Sequence, residues 1–305
     1  MTPSRPWLSV SVVAVALALN GCSDAGDGAT SSASGDAGAA AEGRDGGPTD
    51  AGARADVGAS ADTGVPSPSS VPTDPIAYKK GTPFTLDSGT TSYVYVPASY
   101  DDTHQTPTTL LVWLHGCGGY ASGDIYSVSP GGTQQSWISL AVGGEEGNCW
   151  DMTSDPPRVL TALADLKTHF NIAPKRVVLG GYSSGGDLSY RIAFYNASLF
   201  AGIVVENTSP FRDTGSTQAD SLAAASWKFN VVHLAHLQDA TYPIAGVRTE
   251  TDALKAAGFP LVRIEVDGGH YDDPGAMENG HAVPGTNADL VTYLLPKLDA
   301  GWTAP

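Results

Sequence analysis

One serine, one aspartate and one histidine, in that chain order, have the surroundings that nucleophilic catalysis requires. The serine lies in Gly181-Tyr182-Ser183-Ser184-Gly185-Gly186, which reads G-x-S-x-G between an apolar run, Arg176–Gly180, and a helical pattern over Ser184–Asn196. A strand-to-helix turn this tight strains its central residue, and glycines on either side remove side chains that would collide there. Only Ser183 fits the centre, because Tyr182 stands where Ser184 would need a glycine. A hydroxyl is a weak nucleophile near neutral pH, so a base must take its proton and an acid must orient that base. Two more strand-like runs, Asn230–Ala235 and Pro260–Val266, lead into loops that carry Asp239 and His270. Each group of the expected set Ser183, Asp239, His270 therefore sits just beyond a strand. Asp267 competes as the acid, but three residues before His270 on one loop it is badly placed to hold the imidazole from behind. His281 competes as the base and follows no strand. His233 and His236 read as packing residues of a strand edge, and His104 and His169 as solvated.

Attack on an ester carbonyl creates an oxyanion that needs two backbone N–H donors. Ser184, next to the nucleophile, supplies one. The other is expected from His115-Gly116-Cys117-Gly118-Gly119, where glycines let the backbone approach a substrate; Cys117 is the first choice and Gly118 the second. The same loop fails as a phosphate cradle, since no Lys-Ser/Thr pair follows it. No Cys/His spacing of metal-ligand type appears, so no metal and no cofactor are expected.

These groups need a scaffold that delivers strand ends to one place. Tyr93–Pro97 alternates like a strand, and Thr109–His115 is a continuous apolar run of the kind buried on both faces. Asp155-Pro156-Pro157 opens a helix whose Val159, Leu163, Leu166 and Phe170 keep one stripe. Gly202–Val205 adds another strand, Val247–Ala257 a helix ending at Gly258, and Asn287 caps a last helix. Strands separated by helices imply a mostly parallel, doubly wound α/β sheet in a single domain over 76–305.

The remainder of the chain is of another kind. Leu8–Leu19 is an apolar run of 12 residues after a short segment with one Arg and no acid, which reads as an export signal over 1–21. Residues 22–75 read as a disordered linker: 44 of the 50 positions from 23 to 72 are Ser, Asp, Ala, Gly, Thr or Pro, too little apolar surface to offset ordering entropy. Of the formal net charge of −16, the part from 76 onwards carries −10. A chain acidic in both parts has no basic stripe for phosphates, which argues against nucleic-acid binding.

Leu19-Asn20-Gly21-Cys22 resembles a bacterial lipoprotein signal, which implies cleavage before Cys22 and acylation of its thiol, with the outer membrane or cell surface as destination and ordinary secretion as the alternative. Several acyl chains would anchor the protein stably, and a linker of 50 residues would give it a reach of about 40 Å. With Cys22 lipidated, Cys117 and Cys149 remain, and an even remainder in an exported chain suggests a bridge, two free thiols being the alternative.

The order of the His115-Gly116-Cys117-Gly118-Gly119, Asn148-Cys149-Trp150-Asp151, Gly181–Gly186 and Gly268-Gly269-His270 elements is similar to that in α/β-hydrolases of the polyhydroxybutyrate depolymerase and feruloyl or acetylxylan esterase family. The resemblance runs from about Thr108 to His270. It implies an α/β-hydrolase fold, a Ser183–Asp239–His270 triad, an oxyanion hole of Cys117 and Ser184, and a partner cysteine for Cys117. It also implies hydrolysis of carboxylic esters, polymeric or surface-accessible ones suiting a chain without a lid of lipase size. Leu237 and Tyr242 depart from the family's H-G-x-x-D-x-x-V-P segment, which bears on the pocket more than on the triad. A serine peptidase of the same fold and a noncatalytic surface-binding module are the alternatives. Trp137, Trp150 and Trp227 are open to two readings, a platform for a ring or part of the core.

Overall fold

The structure, a computed structural model, describes residues 72–144, 147–212, 216–271, 277–278, 281–282, 289–297 and 302–305. The export signal, Cys22, nearly all of the linker and Asn287 lie outside the described residues. The N–H groups of Thr73 and Asp74 both donate to the carbonyl of Thr168.

Eight strands form one sheet: β1 (Phe84–Asp87), β2 (Thr91–Tyr95), β3 (Thr108–Leu114), β4 (Ile138–Val142), β5 (Ile172–Tyr182), β6 (Gly202–Glu206), β7 (Asn230–His236) and β8 (Leu261–Val266). Their order is β1-β2-β4-β3-β5-β6-β7-β8, with β1, β2 and β4 paired antiparallel and every pair from β4 to β8 parallel. The helices α1 (Ala121–Gln135), α2 (Pro156–His169), α3 (Ser184–Tyr195), α4 (Gln218–Ala224) and α5 (Ile244–Ala256) alternate with the parallel strands. A short hairpin pairs β9 (Met277–Glu278) with β10 (His281–Ala282), and helical turns at Leu290–Leu294 and Leu295–Lys297 follow.

Strand β3 shows why the central runs are apolar without alternation. Leu110, Val112 and Leu114 enter one cluster with Val159, Leu163 and Leu188, while Leu111 and Trp113 enter another with Ile125, Val128, Leu290 and Leu294. Successive side chains point to opposite faces, and both faces are covered.

Besides the short hairpin of β9 and β10, four elements were not evident in the sequence. β1 and β4 are short, α4 spans seven residues, and α1 contains Pro130 and two consecutive glycines that obscure a helical repeat. α4 is held by a capping box at Thr217, whose Oγ1 accepts from the Asp220 N–H while the Asp220 carboxylate accepts from Thr217 N–H. His169 corrects an expectation: it is buried at 8% exposure, with Nδ1 hydrogen-bonded to the carbonyl of Asp74. His104 is half-buried and pairs through Nδ1 with the Tyr100 hydroxyl at 2.9 Å.

The strand order places the site. From β3 the chain moves outward to β4, whereas from β5 it moves the other way through β6, β7 and β8. Ligands of such sheets bind where the winding reverses, beyond the carboxyl ends of the strands. That point lies between β3 and β5, where Leu114 is in register with Gly181.

Candidate active site

Ser183 sits at the abrupt junction of β5 and α3 with φ 53° and ψ −124°, a conformation that a non-glycine residue adopts only under constraint. The constraint is close packing. A Cβ on Gly181 would lie 2.5 Å from the backbone of Gly185, and one on Gly185 would lie 2.2 Å from the carbonyl oxygen of Leu114. The Ser183 N–H donates to the carbonyl of Glu206 at 3.0 Å, which ties the turn to β6.

His270 Nε2 lies 3.0 Å from Ser183 Oγ, and its Nδ1 lies 2.9 Å from Asp239 Oδ2. The Asp239 carboxylate is itself fixed, accepting from the N–H groups of Thr241 and Tyr242 through Oδ1 at 2.7 and 2.8 Å. With a carboxylate at Nδ1 the ring proton belongs there, leaving the Nε2 lone pair to accept from the serine hydroxyl. All three residues are buried. The three loops expected to converge do so.

Convergence takes work from residues the sequence did not single out. β8 stands three strand spacings from β5, about 14 Å, so the His270 loop must fold back across two strand ends. Asn207, just beyond β6, holds it there: its Nδ2 donates to the carbonyls of Gly269 and His270 at 3.3 and 3.2 Å. Its own N–H donates to Leu234 of β7, and its Oδ1 accepts from the His236 backbone. The Tyr182 hydroxyl donates to the same His270 carbonyl. Gln238 joins the acid and histidine loops by donating from its backbone to Gly268, accepting from the Gly268 N–H and donating to Asp267 Oδ1. Asp267 thus serves as part of the loop clamp and Asp239 faces the imidazole.

Two tyrosine rings, Tyr182 and Tyr242, lie 5.4 Å from the imidazole at 29° and 31° to its plane. The Tyr242 hydroxyl donates to Asp187 Oδ2 at 2.6 Å. Burial lifts Asp187 to about 6 in spite of three donors that favour its charged form, Thr208 Oγ1, Tyr242 Oη and the Ser209 N–H. The departure from the family pattern at Tyr242 therefore forms part of the site's wall.

A cleft of about 660 Å³ opens over Ser183, lined by Gly116, Cys117, Gly118, Ser184, Tyr242 and Arg212 among others. Cys117 and Cys149 form a disulfide across 32 residues. Trp150 fixes the same loop from below: its Nε1–H donates to the His115 carbonyl at 2.7 Å and its ring lies 4.6 Å from the His115 ring. The Ser184 N–H, in the first turn of α3, has no intrahelical carbonyl to bond. Trp150 and Trp137 are buried, Trp150 also lining the cleft, while Trp227 packs against the core and donates to the Ala197 carbonyl.

No family model matches the chain. A poly(3-hydroxybutyrate) depolymerase of Ralstonia pickettii is 30% identical over 151 residues, 42% of this chain, and the chain spans only 30% of that relative's length. Among solved structures, esterase 2 of Thermogutta terrifontis, phosphorylated by paraoxon, superposes with a TM-score of 0.52 at 13% identity, over 66% of this chain and 89% of that one. Fluorophosphonate-binding serine hydrolase F of Staphylococcus aureus gives a TM-score of 0.52 at 13% identity, over 62% and 91% of the two chains. The chain has the α/β-hydrolase fold. On this fold Ser183, Asp239 and His270 follow β5, β7 and β8, and the Cys117 loop follows β3, the neighbour of β5.

Proposed function

We propose that the protein is a serine esterase that hydrolyses carboxylic esters through an acyl-enzyme on Ser183. The observation that carries this reading is the unbroken bonded row from Ser183 Oγ through His270 to Asp239. His270 takes the serine proton as Oγ attacks the carbonyl carbon, and Asp239 faces the imidazolium that forms. The oxyanion falls to the backbone N–H groups of Cys117 and Ser184, both at the cleft wall. The imidazolium then gives its proton to the leaving alkoxide, and the alcohol departs. Water, deprotonated by the same imidazole, attacks the acyl-serine; the acid leaves and Ser183 regains its proton. Ester substrates that are polymeric or displayed at a surface, polyhydroxyalkanoate or plant-polysaccharide esters among them, are supported by the open cleft and by the similarity to a depolymerase.

Ser183→Ala is expected to abolish hydrolysis of p-nitrophenyl acetate and labelling by a fluorophosphonate while the circular dichroism spectrum is kept. Undiminished turnover in that variant would remove the assignment. Matched ester and amide chromogenic substrates separate an esterase from a peptidase, and esters are expected to be cleaved much the faster.

We further propose that the chain is exported and anchored through an acylated Cys22, a reading supported by the lipoprotein-like Leu19-Asn20-Gly21-Cys22. Labelled palmitate is expected to enter the wild-type protein and not Cys22→Ser; equal incorporation in both would refute the anchor.

A further inference from the structure

At the same strand ends, outside the cleft lining, three buried side chains converge that the triad does not use. Glu206 closes β6, His236 closes β7, and Asp289 directly precedes the helical turn Leu290–Leu294. They are 1%, 0% and 2% exposed, and one donor atom from each lies within 4.8 Å of the other two.

The orientation of the imidazole is fixed by its neighbour. Asn207 spends its amide N–H groups on the carbonyls of Gly269 and His270, so its Oδ1 is the acceptor toward His236 Nδ1 at 2.7 Å. His236 Nδ1 therefore carries the hydrogen. Its Nε2 faces away from Asn207, toward the two carboxylates. That atom makes no hydrogen bond among the described residues and lies 3.5 Å from Asp289 Oδ2. A buried ring nitrogen left without a hydrogen bond carries a desolvation cost, which an ion bound at Nε2 would remove. Two donors 3.5 Å apart, each about 2.1 Å from one shared ion, subtend an angle of about 110°, the tetrahedral value.

We propose that Glu206, His236 and Asp289 hold a divalent transition-metal ion of the zinc class, with water completing its shell. One imidazole and two carboxylates are a donor set for such ions, and a hydrogen-bonded outer nitrogen is the usual state of a ligating histidine. The ion's role is structural. It joins the ends of β6 and β7 to the segment at Asp289, under the loops that carry the triad. Glu206 is also the residue whose carbonyl accepts the Ser183 N–H, and its neighbour Asn207 holds the His270 loop. The ligands are 30 and 53 residues apart, so no local spacing reveals them.

The test uses the full chain, stripped with a chelator and dialysed against zinc. About one zinc per chain is expected by elemental analysis, with a melting temperature raised by roughly 5–10 °C once the ion stands 100-fold above its Kd. Glu206→Gln and Asp289→Asn keep side-chain size and are expected to lose both effects, with fluorophosphonate labelling of Ser183 reporting that they fold. Absence of stoichiometric zinc in the wild type overturns the site, as does undiminished uptake in both variants. If neither variant folds, zinc-edge absorption on the wild type decides. A shell of one imidazole with oxygens supports the site, and a shell with several imidazoles overturns it. These readouts do not depend on which ester is cleaved.

Discussion

Asn207 illustrates how much of the position of His270 is owed to its neighbours. It has φ 46°, a conformation that Asn tolerates better than most side chains, and its side-chain amide bonds two strand-end loops at once. Asn207→Ala removes the donors to the Gly269 and His270 carbonyls without altering Ser183, His270 or Asp239 themselves. A displaced imidazole harms the transition state more than substrate binding, and a shift near 1 Å costs on the order of 100-fold. The expectation is a fall in kcat of roughly 10- to 100-fold with KM nearly unchanged, read from steady-state kinetics on p-nitrophenyl acetate. An unaltered kcat would show that the Tyr182 hydroxyl, the other donor to the His270 carbonyl, suffices alone.

At the level of elements, the Ser183 turn depends on how closely α3 approaches β3. The approach is set by Gly185, where a Cβ would meet the carbonyl oxygens of Leu114 and His115 at 2.2 and 2.4 Å. Both obstacles are backbone in or next to a central strand, so neither can move without breaking the sheet. Gly185→Ala is therefore expected to destabilise, whereas an ordinary helical Gly→Ala change gains about 1 kcal/mol from propensity. Overpacking costs typically 1–3 kcal/mol or more, and urea midpoints compared with wild type would show it. A stabilised Gly185→Ala would mean that α3 can draw back from the strand, and the account of the Ser183 turn would fail with it.

For the molecule as a whole, buried titratable groups set how acid acts on the fold. His233 lies wholly inside with Nδ1 2.9 Å from the Tyr190 hydroxyl, and burial, its largest influence, lowers it to about 3. The unfolded chain takes up that proton near pH 6.5, whereas the folded chain refuses it until about 3. Stability from the neutral ring is thus complete above 6.5 and is lost as pH falls toward 3, at about 1.4 kcal/mol per pH unit. Asp187 has the opposite sign: raised to about 6 by burial, it contributes most below 3.8 and loses that contribution as pH rises through 6. Urea unfolding at pH 7 and pH 5 is expected to show a smaller acid-induced loss in His233→Gln, by on the order of 2 kcal/mol. An identical loss in wild type and variant would contradict the buried neutral histidine.

The parallel α/β architecture, the tight turn at Ser183 and the placing of Ser183, Asp239 and His270 just past strands were legible in the sequence, because each is written in local pattern: apolar runs, glycines about one serine, polar groups just past strands. Those signals are local because propensity and side-chain periodicity act over a few residues. Asn207 as a clamp, Tyr242 beside the imidazole, the Gln238–Asp267 link, the burial of His169 and the cluster of Glu206 with His236 and Asp289 were not legible. Each depends on which strands become neighbours and how far a loop must reach across their ends, and those distances exist only once the sheet has closed.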